Sequence, residues 1–260
     1  MLSCKKNLHK VQRSQNIWLD KCEIPYVVLI GDPNLDTEYS YDSGTRILTV
    51  QCSDDYEHLS WKVYLGFKTV YTLFRPTGIL KVDDDVLVRV KKLQDFARLE
   101  SKPSYIGTVA TIIGYMSNYH KNKVYDDGLS DQYVYVPNVK YCYGAMYYVD
   151  ARSVRCLIKN MNPNDHMYED VLVGKTLNGC HIYPVQFPWV TNHLTLFLMN
   201  PEYIAFHDEH SSYSFSFLLV SFNLERSLGE WMLIMLLFYI SIMMILTLLF
   251  FNYSRIIYMK

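Results

Sequence analysis

Three consecutive carboxylates, Asp83, Asp84 and Asp85, stand between two apolar runs, Ile79-Leu80-Lys81-Val82 before them and Val86-Leu87-Val88 after. A strand leading in and an apolar return leave the acids only a short surface stretch. On an extended backbone successive side chains alternate, so Asp83 and Asp85 are expected on one face and Asp84 on the other. Adjacent anions beside a low-dielectric interior repel unless a cation or hydrogen-bond donors compensate them. Oxygen ligands two residues apart suit Mn²⁺ or Mg²⁺, which commonly keep water and substrate phosphates in their shell. A second acidic pair, Glu169-Asp170, precedes Val171-Leu172-Val173-Gly174. A helix beginning there sets Asp170 against free N–H groups and the positive end of the helix dipole. Beside a metal triplet, a carboxylate not consumed by the ion is what a general base needs to be. His207, after Tyr203-Ile204-Ala205-Phe206, becomes a ligand candidate if the fold carries it to Asp85.

The elements that must position these groups read as alternating strands and helices. Residues 25–31 are a β-branched apolar run closed by Gly31-Asp32-Pro33, a buried strand and a turn. Residues 46–52 read as a second strand. Residues 55–70 change to helical spacing (Leu59, Val63, Gly66, Phe67, Val70), with Ser53 or Asp54 available as N-cap. Residues 79–82 form a third strand, 90–100 a helix, and 105–111 and 141–149 further strands. A helix is expected from about 167 to 177, capped by Asn164 or Asp165 and stopped by Asn178-Gly179. This alternation indicates an α/β domain. In open α/β sheets ligands sit at the carboxyl ends of strands, where the Asp triplet lies.

At 260 residues the chain holds one sizeable domain and an appendage. With 25 basic and 26 acidic residues and no long basic run, it lacks the positive stripe of a nucleic-acid groove. Six scattered cysteines without a Cys-x-x-Cys pair argue against structural zinc and leave disulfides open. Residues 231–251 carry no charge and match the roughly 20 apolar residues of a membrane helix. Residues 1–15 contain Lys5, Lys6, Lys10 and Arg13 but no apolar stretch, so no signal peptide is expected there. A single C-terminal anchor with a cytosol-facing domain is the resulting expectation, although Arg255 and Lys260 beyond the span weakly favour the opposite orientation. Six tyrosines (Tyr133, Tyr135, Tyr141, Tyr143, Tyr147, Tyr148) crowd the centre, as strand formers or as surfaces on which sugar rings could stack.

Seen in order, several segments resemble motifs of the β-1,3-galactosyltransferase superfamily, glycosyltransferase family 31, related to Fringe. Gln12-Arg13 through Trp18 looks like its opening Arg…Arg-x-Thr-Trp element. Residues 53–62 resemble Asp-Ser-Tyr-x-Asn-Leu-Thr-x-Lys, and Lys81 to Val88 resembles Lys-x-Asp-Asp-Asp-Val-Phe-Val. Tyr105-Ile106-Gly107 matches Tyr-x-Gly, Tyr141 to Tyr147 resembles Tyr-Cys-Ser-Gly-x-Gly-Tyr, and Glu169 to Gly174 the Glu-Asp-Val-x-x-Gly box. The resemblance covers roughly residues 12–215. It implies a GT-A-type nucleotide-sugar transferase domain with a mixed central sheet, followed by a linker (216–230), the transmembrane helix (231–251) and a short tail. Residues 1–11 would be an N-terminal extension.

By resemblance, Asp83, Asp85 and His207 would hold Mn²⁺ or Mg²⁺, and Asp170 would be the base of an inverting transfer. Lys81, Asp84, Asp55 and Lys62 would lie on the donor side, and Tyr141, Gly144 and Glu169 would line the sugar pocket. The implied donor is a UDP-sugar carrying galactose or N-acetylglucosamine. The implied acceptor is a glycan, glycoprotein or glycolipid joined by a β-1,3 linkage, in a Golgi- or ER-type membrane. Ala145 and Met146 stand where the motif is glycine-rich, which would narrow the sugar pocket. The competing reading is therefore an inactive relative that binds glycan or protein through the same cleft.

Overall fold

The computed structural model describes residues 1–111, 114–117, 134–165, 167–187, 189–193, 196–197, 200–207 and 239–240. Its centre is a mixed sheet. Strands β1 (Val28–Gly31), β2 (Tyr39–Asp42) and β3 (Ile47–Val50) form one part, in the order β1-β3-β2. Strand β4 (Gly78–Val82) pairs antiparallel with the long β9 (Lys140–Asp150), which pairs with β6 (Tyr105–Thr111), and β6 pairs parallel with β10 (Val185–Gln186).

Residues 1–3 join the two parts. Leu2 bridges Leu29 of β1 and Asp83 just beyond β4, both in parallel. Its N–H donates to Val82 O (2.7 Å), and Ser3 N–H donates to Leu29 O (3.0 Å). The sheet thus runs β2-β3-β1-(1–3)-β4-β9-β6-β10. The expected extension over residues 1–11 is instead built in: Leu2 is buried, and helix α1 (Leu8–Ser14) sets Val11 against Val28 and Ile30.

Helices α2 (Leu59–Phe74), α4 (Ala151–Asn160) and α5 (Glu169–Gly179) cover one face. That core includes Leu48, Val63, Phe67, Tyr147, Leu157 and Leu172. Glycine permits two close approaches here: a Cβ on Gly66 would lie 2.3 Å from Leu29 Cδ2, and one on Gly174 2.3 Å from Tyr141 Cβ. The second holds α5 tightly on β9. Asp150 caps α4 by accepting from Ser153 N–H (2.7 Å). Asp165 and Asn164 do not cap α5; Tyr168 precedes it, and the helix starts two residues later than expected.

The other face carries helix α3 (Val90–Ala97) and a small sheet, β11 (Val190–Thr191), β12 (Ala205–His207) and β5 (Val86–Val88). Trp18, Phe96, Met146, Trp189, Phe197 and Phe206 fill the core between them. A two-stranded ribbon, β7 (Tyr115–Ser117) and β8 (Val134–Val136), is tied to α5 where Tyr168 Oη donates to Ser117 Oγ (2.6 Å).

A disulfide joins Cys156 of α4 to Cys180 at the end of α5. Apart from Tyr239 and Ile240, the expected span over residues 231–251 lies outside the described residues. Among the described residues no helix is long and apolar enough to cross a membrane.

Candidate active site

The sheet brings the acidic motifs together at the carboxyl end of β4. The backbone does not stay extended through the triplet: Val86 N–H donates back to Asp83 O (3.3 Å), closing a turn over 83–86. Asp84 nevertheless leaves the site, as expected. Its Oδ2 accepts from Ser3 Oγ (2.7 Å) and its Oδ1 lies 3.8 Å from Lys10 Nζ, so it binds the N-terminal segment rather than facing a donor.

Residues 143–145 of β9 are the spine of the site. Asp83 N–H donates to Ala145 O (3.0 Å), Lys81 Nζ donates to Gly144 O, and Gly144 N–H donates to Asp170 Oδ2 (2.9 Å). Lys81 is buried, and its register partner Tyr147 lies on the same face. Its Nζ is 2.6 Å from Asp83 Oδ1 and 3.5 Å from Glu169 Oε2. Tyr147 Oη completes the group by donating to Glu169 Oε1. Burial alone would lower the Lys81 ammonium, but Asp83, Glu169 and Asp170 hold it above the ordinary lysine range. Burial raises the Asp83 carboxyl to about 7 against the pull of Lys81, and Asp85 adds to the rise. Asp170 is likewise pushed up to about 6 by burial and by Glu169, while Lys81 and the N–H groups of Val171 and Gly144 oppose the shift.

Asp85 faces a different partner. Strand β12 pairs antiparallel with β5 so that His207 lies opposite Val86, and His207 Nε2 comes 3.3 Å from Asp85 Oδ1. The approach has the distance of an ion pair, but Oδ1 remains buried without a hydrogen-bond partner. Burial favours the neutral acid, yet His207 and then Lys10 hold the Asp85 carboxyl below the usual range. Arg89, absent from the sequence reading, fixes this placement. Its backbone N–H donates to Ile204 O (2.8 Å), and its guanidinium donates to the carbonyls of Phe197, Asn200 (3.1 Å) and Tyr203 (2.9 Å) while stacking on the Phe197 ring. An arginine directly after Val-Leu-Val was the available signal.

The expected metal trio is therefore not assembled as three ligands. Asp85 and His207 converge, whereas Asp83 is committed to Lys81, and no group of three His, Cys, Asp or Glu forms among the described residues. The chemistry still fits a hard divalent ion. Asp83, Glu169 and Asp170 surround one lysine, and Asp85 Oδ1 is buried beside the His207 imidazole.

Two residues expected on the donor side sit elsewhere. Asp55 is half-exposed and caps the turn before α2 by accepting from His58 N–H (2.9 Å). Asp54 is the acid that meets Lys62, at 2.7 Å, instead of capping α2. Buried Lys62 also donates to Ser3 O (2.9 Å), and Asp54 accepts from the N–H groups of Gly31 (2.7 Å) and Lys5 (2.6 Å). The pair clasps the first residues, the end of β1 and α2 together.

The remaining motif residues lie on β9: Tyr141 is buried against α5, and Gly144 bonds Asp170 through its N–H and Lys81 through its carbonyl. Met146 does not narrow the pocket: it is buried in the core behind the sheet, opposite Val82.

A search of curated proteins finds no significant match. A family model described as Galactosyltransferase matches residues 18–188, spanning most of the motif-bearing domain but not His207. On this match over most of its length, the chain belongs to the galactosyltransferase family, the β-1,3-galactosyltransferases of glycosyltransferase family 31.

Proposed function

We propose that the chain is an inverting hexosyltransferase that moves galactose or N-acetylglucosamine from a UDP-sugar to a glycan hydroxyl, forming a β-1,3 linkage. The observation that carries this is Asp170, a raised-pKa carboxylate at the start of α5, held by Gly144 N–H one residue from the carbonyl that anchors Asp83. Asp170 takes the proton of the acceptor hydroxyl as that oxygen attacks the anomeric carbon. The anomeric carbon–oxygen bond breaks, and its electron pair leaves with UDP, so an α-linked donor yields a β-linked product. Asp85 and His207 would hold Mn²⁺ or Mg²⁺, which when bound neutralises charge on the diphosphate. Lys81 fixes Asp83 and Glu169 and so sets the distance between the donor turn and the base-bearing helix.

We place the domain on the lumenal side of an endomembrane, anchored by residues 231–251. The Cys156–Cys180 disulfide supports an oxidising compartment and weighs against the cytosolic face expected from the sequence. Of the two residues behind the inactive-relative reading, Ala145 and Met146, the second packs in the core, which favours the active enzyme.

The test incubates the full chain with Mn²⁺ and a panel of UDP-sugars and acceptor glycosides, following released UDP and product. Asp170→Asn should abolish transfer, by at least about a thousandfold, while UDP and Mn²⁺ still bind. Retained transfer in that variant would sink the assignment of the base. Silence of the wild type across the panel would sink the function.

A further inference from the structure

The family motif has a serine where this chain has Tyr143, and the structure puts that tyrosine on the spine of the site. Tyr143 directly precedes Gly144, whose N–H holds Asp170 Oδ2 at 2.9 Å. Its side chain is half exposed, although the residues around it on β9 are largely buried. The ring is backed edge-on by Tyr141, with centroids 6.1 Å apart and planes at 76°. Tyr141 is itself buried against α5, and its hydroxyl lies within electrostatic reach of Asp170, Tyr115, Tyr143 and Tyr168. Tyr115, on the β7–β8 ribbon, is also exposed. A braced ring, open to solvent, therefore stands one residue from the glycine that holds Asp170.

Resting on the transferase reading above, we propose that Tyr143 is the acceptor platform of this chain. The C–H face of an acceptor pyranose stacks on the ring while a hydroxyl of that sugar points to Asp170. The chemistry suits the site: a pyranose presents an apolar face and a polar rim, and an aromatic ring braced by another matches the face without requiring hydrogen bonds. A donor hexose is the poorer fit. The donor side is fixed at Asp83 and Asp85, and Tyr143 lies beyond Gly144 and Ala145, the two residues that contact Lys81 and Asp83.

The experiment compares two reactions of the full chain with its best UDP-sugar: hydrolysis of the donor by water, and transfer to methyl β-galactopyranoside or methyl N-acetyl-β-glucosaminide. Tyr143→Ala and Tyr143→Ser should raise the acceptor KM about tenfold more than the donor KM, the loss expected for one stacked ring. Tyr143→Phe and Tyr143→Trp should keep the acceptor KM near the wild-type value, because the ring and not the hydroxyl provides the platform. An acceptor KM that moves no more than the donor KM in Tyr143→Ala overturns the proposal and leaves the transferase reading intact. A donor KM that rises more than the acceptor KM assigns Tyr143 to the donor instead, and also overturns it. A wild-type chain that neither hydrolyses nor transfers any UDP-sugar removes the reading on which the platform stands, and the platform with it.

Discussion

Lys62 and Lys81 are both buried lysines paired with an aspartate at about the same distance, 2.7 and 2.6 Å, yet their surroundings differ in charge. Lys62 meets one carboxylate and one carbonyl, Asp54 and Ser3 O, so its site is neutral and closed. Lys81 meets Asp83 and Glu169 and feels Asp170, leaving an excess of negative charge around one ammonium. Burial and pairing alone do not mark a functional lysine. The imbalance does, because an uncompensated anionic cluster is tolerable only where a substrate or ion completes it.

The sharpest way to break this comparison is to remove each ammonium in turn. Lys81→Met should cut transfer by about a thousandfold or more in the folded protein, since Asp83 and Glu169 then repel and the donor turn separates from α5. Steady-state turnover at saturating donor, with circular dichroism confirming the fold, checks this. Turnover within tenfold of wild type would reduce Lys81 to a structural role. Lys62→Met should instead cost about 3–5 kcal/mol of stability by stranding Asp54, with turnover per folded molecule near wild type. Adding Asp54→Asn should recover most of that loss, as read from urea midpoints. A double variant no more stable than the single one would show that Lys62 does more than answer Asp54.

The smallest effect is in pH. As the proposed base Asp170 would act unprotonated, and with its carboxyl pushed up to about 6 turnover should fall as pH drops below about 6, approaching tenfold per unit. The sign for stability is opposite: a carboxyl with a raised folded-state pKa favours the fold at low pH, and that contribution is lost as pH rises through about 6. A pH–rate profile at saturating substrates checks the first. The Lys62→Met variant should show the same acid limb, because its lysine lies outside the cluster.

The parts of the site carried by local motifs were legible in the sequence. Asp83, Asp85 and Asp170 each sit in a short run whose apolar flanks define a strand or a helix start, and the sheet brings those runs together. What was not legible depends on contacts between distant or poorly patterned segments. Resemblance alone names His207 as a partner of Asp85; the pairing of β12 with β5 across more than a hundred residues that carries it there, with Arg89 holding the intervening carbonyls, leaves no local pattern. The choice of Asp54 over Asp55 as partner of Lys62 turns on one residue of backbone geometry. Residues 1–3 pair as strand through too few positions to show any periodicity, and Cys156–Cys180 is one of many pairings six cysteines allow.

Leu2 also fills the seam between the two parts of the sheet, pairing with β1 on one side and with the Asp83 turn, next to β4 and β9, on the other. Without it β1 and β4 would each present an unpaired edge, the kind of edge that recruits wrong partners. The same segment is gripped by Asp84 and Lys62 through Ser3, so damage to this seam reaches the Asp triplet and the sheet together.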